Sequence, residues 1–125
     1  MKTLQEIMQN APIYLNLFHD KQDIIDNFED IDTKEYNHTW DKINIILASY
    51  GYEDYFGDAF VLYEYDGQLF EVNGSHCSCY GLEDQFVPER TSLEAIADRL
   101  INGGLGKESY SGNEFSVELK QLIGI

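Results

Sequence analysis

The chain is 125 residues long, 43% hydrophobic and 14% aromatic, enough apolar material for one domain (1–125) with a real core and too much for a disordered chain. Eight Lys and Arg against 23 Asp and Glu leave a net charge of −15, a balance that repels nucleic acid and anionic membrane and attracts basic protein surfaces. No apolar run reaches the length of a membrane span, and Met1-Lys2-Thr3 leads into an amphipathic segment rather than a signal peptide; the expectation is a cytoplasmic protein in a reducing compartment.

Thr3-Leu4-Gln5-Glu6 has the form of a capping box and predicts a short first helix, with Pro12 able to open a second turn after Asn10. Asp20 is placed to cap the next helix, with Ile24, Ile25 and Phe28 on its buried side. Its polar side carries Asp23, Asp26, Glu29 and Asp30, the densest acidic face of the chain, which serves either as a solvated helix face or as a docking surface. Thr33 is expected to cap a longer helix. Tyr36, Trp40, Ile43, Leu47 and Tyr50 recur there at spacings of four, three, four and three, and Gly51 stands where a terminating glycine belongs. His38 points away from that stripe and reads as a surface histidine.

After Gly51 the period changes. Tyr52 to Asp58 is a turn rich in aromatics and acids, Glu53 and Asp54 among them. Ala59–Tyr65 and Gln68–Asn73 form a hairpin around Asp66-Gly67, and Glu83–Val87, stopped by Pro88, is expected as a third strand. Thr91-Ser92-Leu93-Glu94 is a second capping box. It opens a helix with Leu93, Ile96, Ala97, Leu100 and Ile101 inward, ended by Gly103-Gly104. Leu105–Gly112 reads as a loop, and Asn113 as the cap of a last helix burying Phe115, Leu119, Leu122 and Ile123 before Gly124. The expected fold class is α+β: a small antiparallel sheet, hairpin plus third strand, packed with four to five helices.

Chemistry concentrates in Gly74-Ser75-His76-Cys77-Ser78-Cys79-Tyr80-Gly81, which holds both cysteines and one of three histidines. His76, Cys77 and Cys79 are zinc-ligand types within four residues, although the usual C-x-x-C spacing is one residue longer and no second cysteine pair exists. A fourth ligand could come from Glu83, Asp84, His38, His19 or water. The plainer alternative makes the cysteines small packing residues and His76 a hydrogen-bonding turn residue. A Cys77–Cys79 disulfide would close a strained ring. As a catalytic pair, adjacent His76 and Cys77 are poorly placed for proton transfer, and carboxylate pairs such as Asp54 with Asp58 or Glu53 are expected by chance in so acidic a chain. No phosphate-binding glycine loop or Gly-x-Ser-x-Gly elbow is present, so the chain is not expected to be an enzyme. The tyrosines and phenylalanines from Tyr50 to Tyr65 lack the positive charge of a base-stacking site, Lys42 being the one base between residues 41 and 70.

Two stretches carry a resemblance: Tyr52-Glu53-Asp54-Tyr55-Phe56-Gly57-Asp58, and Leu69-Phe70-Glu71-Val72-Asn73-Gly74-Ser75-His76-Cys77-Ser78-Cys79-Tyr80-Gly81-Leu82-Glu83. They resemble a group of small phage and prophage proteins over about a third of the chain. In size, acidity and the His-Cys-x-Cys loop, the chain also resembles zinc-containing type II anti-CRISPR inhibitors. That likeness implies a structural zinc on His76, Cys77 and Cys79. It also implies a Cas9 partner, docked on Asp23, Asp26, Glu29, Asp30, Glu53 and Asp54, whose basic channel would then not load target DNA. A metal-dependent phage hydrolase, and an acidic DNA mimic acting on another host nuclease, are the alternatives.

Overall fold

The computed structural model describes residues 1–53, 55–108 and 112–125. Its organising unit is a five-stranded sheet in the order β1 (Ile13–Asn16), β2 (Asn44–Tyr50), β3 (Gly57–Tyr65), β4 (Gln68–His76), β5 (Glu89–Thr91). β1 runs parallel to β2, and the other neighbours are antiparallel. Each edge strand starts immediately after one of the two prolines, Pro12 or Pro88. Among the described residues four α-helices accompany the sheet: α1 (Leu4–Met8), α2 (Lys21–Phe28), α3 (Leu93–Ile101) and α4 (Ser116–Ile123). Two short strands, β6 (Lys107–Glu108) and β7 (Asn113–Glu114), form a separate pair. The class is α+β as expected, but the sheet is larger than hairpin plus one strand, and it is mixed.

The hairpin obeys its turn chemistry. Asp66 and Gly67 both take positive φ, 52° and 78°, and the pairing runs without a slip from Tyr65↔Gln68 to Gly57↔His76. Alternation along it feeds two cores. Val61, Tyr63, Phe70 and Val72 pack with Phe18, Ile24, Phe28 and Phe86 on one face. Phe60, Leu62 and Leu69 pack on the other with Ile7 of α1, Ile96 and Leu100 of α3, and Leu119 and Ile123 of α4. Burial on both faces is what lets so short a chain hide this many large side chains.

The largest departure from expectation is residues 33–50. They form no long helix: a single 3-10 turn at Trp40–Lys42 leads into β2. Six of the seven β2 residues are buried, so the strand reads as a continuous apolar run and not as an alternating one. A register shift between Ile45 and Leu47 turns both Ile46 and Leu47 into the α3/α4 core, while Ile45, Ala48 and Tyr50 enter the other. Ile43, Leu47 and Tyr50 of the expected helical stripe thus fall in or beside a strand buried on both faces, while Tyr36 and Trp40 lie partly buried in the segment before it.

Other boundaries moved for local reasons. The residues after Pro12 form β1, paired to β2, instead of a second helical turn. Glu83–Val87 contains no strand beyond an isolated Ile31↔Phe86 bridge, and the added strand is β5. Ser92, one residue after the expected position, caps α3 by accepting from the Ala95 amide, and Ile101 lies exposed. Asn113 belongs to β7, while Phe115 occupies the α4 N-cap without a side-chain bond. The expected loop 105–112 contains β6, and its residues 109–111 lie outside the described residues. Thr3 and Glu6 form the predicted capping box, and Asp20 caps α2 through the Asp23 amide at 2.8 Å. No described helix is long and apolar enough to cross a membrane.

Candidate functional site

The sulfur-bearing loop sits where the far end of the hairpin meets the turn after β2. Gly57 faces His76 in the register, and the Gly51 amide donates to the Asp58 carbonyl at 3.0 Å. A side chain at Gly57 would overlap the Gly51 carbonyl and reach within 2.9 Å of the His76 ring, so glycine is what permits this approach. His76 lies stacked on Tyr52 (centroids 5.2 Å, 20° between planes) and edge-on to Tyr50. Its Nδ1 is 2.6 Å from the Tyr50 hydroxyl. Burial, helped by the nearby charges of Glu83 and Tyr52, pushes the Tyr50 pKa up to about 12. A neutral phenol therefore sits beside the imidazole, able to donate to a bare Nδ1 or accept from a protonated one.

Beyond His76 the chain turns tightly. The Cys77 amide donates to the Tyr80 carbonyl at 3.1 Å, and the Cys79 amide donates to Cys77 Sγ at 3.2 Å. Both thiols are free, Cys77 half-buried and Cys79 exposed. The Cys79 amide, together with the Cys79 thiol, holds the Cys77 pKa below its usual value, while the bond to Cys77 raises that of Cys79. The loop is pinned by Gln85. Its Oε1 accepts from the Ser75 amide at 2.8 Å, and its Nε2 donates to the Ser75 and Gly81 carbonyls, each at 2.7 Å. Gln85 thus closes the loop ends in the way a structural metal had been expected to.

Of the three expected zinc ligands, the structure brings Cys77 and Cys79 together and engages His76 with Tyr50 instead. Among the described residues no group of three His, Cys, Asp or Glu side chains could hold a metal ion. Two thiols do not make the closed four-ligand set of a structural zinc.

The expected partner-binding acids fall in two places. Asp23, half-buried, and Asp26, exposed, lie on α2; Glu29 is its C-cap at φ 66° and Asp30 lies beyond its end, both exposed, so the expected acidic face is not one continuous helix face. Asp23 accepts from the His19 amide at 2.8 Å and lies 3.0 Å from His19 Nδ1, contacts that lower its pKa. Asp26 accepts from Gln22 at 2.8 Å. Glu53 is exposed in the turn next to the cysteine loop, and Asp54 lies outside the described residues. Exposed Tyr52, Tyr55 and Tyr80 stand at the same end of the sheet.

Three buried polar features had no sequence signal. His38, expected at the surface, is only 7% exposed. It stacks on Tyr65 (3.9 Å) and Tyr36, meets Phe70 edge-on and lies 2.8 Å from the Tyr63 hydroxyl, so burial lowers its pKa. Ser49, fully buried, donates to Asn113 Oδ1 at 2.5 Å and accepts from Asn16 at 2.6 Å, tying β1, β2 and β7 together. Glu71 is buried beside Arg99. A cleft of about 410 Å³ opens between the hairpin and the segment before β6, with Asp58, Asn73, Gln85 and Asn113 on its wall.

Fold and surface together define an α+β protein with a markedly acidic exterior and a two-thiol turn at one end of its sheet. Comparison with protein-family models, curated proteins and solved structures gives no match.

Proposed function

We propose that the protein is an acidic binding protein for a basic protein surface, in the specific form of a phage-derived anti-CRISPR protein that binds Cas9 and blocks target DNA loading. The observation that carries this reading is the unbalanced charge. Among the described residues, Arg99 pairs with Glu71 and the His19 ring lies against Asp23, so the remaining carboxylates keep an uncompensated field. Exposed tyrosines beside Glu53, and the acids on and just after α2, would supply the contact chemistry, with aromatic area for packing and carboxylates for Lys and Arg. The choice of Cas9 rests on the resemblance described above and on the positive channel in which such enzymes hold guide and target.

Guide-loaded Cas9 from several type II systems, mixed with the protein before DNA is added, tests it. Cleavage is expected to fall at molar excess and to recover as salt rises. The triple variant Asp26→Asn, Glu29→Gln, Asp30→Asn is expected to bind about tenfold more weakly at low salt through a slower association rate. Unaltered cleavage by every enzyme tried would refute the Cas9 assignment.

A further inference from the structure

The turn after β4 presents two free thiols, Cys77 Sγ accepting from the Cys79 amide, and among the described residues no third side chain joins them in a set that could hold a metal. We infer that Cys77-Ser78-Cys79 is a dithiol site that exchanges with small disulfides, Cys77 attacking and Cys79 resolving. The assignment of roles follows from the backbone: the Cys79 amide is aimed at Cys77 Sγ at 3.2 Å, the arrangement that stabilises negative charge on that sulfur. The Cys77–Tyr80 bridge, closed by the Cys77 amide on the Tyr80 carbonyl at 3.1 Å, turns the chain so that Cys77 and Cys79 lie on one tight turn. Access is open, since Cys79, Ser78 and Tyr80 are all exposed.

Gln85 decides what the oxidised form would be. By holding both Ser75 and Gly81, it keeps the loop from relaxing around a small disulfide ring. A disulfide closed against that restraint is strained, and strained, exposed disulfides are the oxidising, readily reopened ones. The pair is therefore suited to turnover and not to permanent cross-linking.

The chemistry balances with a small disulfide, R–S–S–R, as oxidant. The Cys77 thiolate bonds to one sulfur and the S–S bond breaks, releasing one thiolate that takes a proton from water. Cys79 then gives up its proton and attacks Cys77 Sγ, expelling the second thiolate. Two protein thiols become one disulfide, and one small disulfide becomes two thiols.

Intact-mass spectrometry after timed acid quenching, with oxidised glutathione as probe, tests the inference on the full chain. The wild type is expected to lose two hydrogens and retain no adduct. Cys79→Ser should stop with one glutathione on Cys77, and Cys77→Ser should react at least about tenfold more slowly. Circular dichroism checks that both variants fold. Mapping the first adduct on the wild type supplies the same answer without any substitution: Cys77 is expected, and Cys79 would overturn the assignment. Separate adducts on both cysteines with no internal bond, or co-purified zinc that shields both thiols until a chelator is added, would overturn the site itself. None of these outcomes depends on Cas9.

Discussion

Removing the Arg99 guanidinium should destabilise the protein well beyond the usual cost of a surface substitution. Arg99 Nη1 lies 2.6 Å from Glu71 Oε1, joining α3 to β4. The Glu71 side chain is only 9% exposed while that of Arg99 is 39% exposed, so the carboxylate is the desolvated partner. Its other oxygen, Oε2, has no hydrogen-bond partner among the described residues. Breaking a fully buried pair costs about 3–5 kcal/mol. Water reaching the vacated Arg99 position offsets part of this, which brings the expected loss for Arg99→Met to about 2 kcal/mol. At roughly 2.1 cal/mol/K of unfolding entropy per residue, a chain this long has a ΔS near 260 cal/mol/K, so the melting temperature should fall by about 8 °C. Scanning calorimetry reads this directly. Glu71→Leu added to Arg99→Met replaces the lone buried charge with an apolar side chain and should restore stability to within about 1 kcal/mol of wild type. A single variant melting within about 2 °C of wild type would refute the argument that Glu71 needs its cation.

The His38 box gives a pH signature. Burial favours neutral His38 against the pull of Asp66, so the unfolded chain takes the proton first. The stability tied to the neutral ring is complete above the unfolded value of about 6.5 and is lost as pH falls below it toward the lower folded value. His38→Phe keeps the stacking on Tyr36 and Tyr65 but cannot titrate. The melting-temperature gap between wild type and this variant is expected to narrow from pH 7.5 to 5.5, and a constant gap would remove His38 from the account. Gly51 tests backbone approach: a Cβ there would overlap the Gly112–Asn113 backbone. Gly51→Ala is expected to cost about 2 kcal/mol or more in urea denaturation, whereas Gly104→Ala, with open space around it, should be neutral or stabilising by about 0.5 kcal/mol. Equal effects at the two glycines would contradict this packing.

What was legible in the chain was mostly local. Asp66-Gly67 announces its turn, Thr3 and Asp20 announce their helices, and Gly124 ends α4 at φ 81°, because each of these works through neighbours a few residues away. β2 was not legible, because a strand covered on both faces loses the alternation that distinguishes it from a helix. His38 was misplaced with it: only the strand geometry of β3 brings Tyr63 and Tyr65 to its ring. At the site, the composition of the cysteine loop was plain, but its ties were not. Tyr50 reaches His76 across 26 positions, and Gln85 closes the loop through backbone groups that no side-chain pattern encodes.

The two ends of the sheet carry a consequence for behaviour at high concentration. A sheet with this much buried apolar surface invites a second molecule to add a strand wherever its rim is long and flat. Here the rims are four and three residues long, and a proline without an amide hydrogen stands immediately before each. An incoming strand would find few unpaired groups along either edge strand before that strand stops. Together with mutual repulsion between chains of charge −15, this should keep the protein dispersed even while its acidic face remains open to a basic partner.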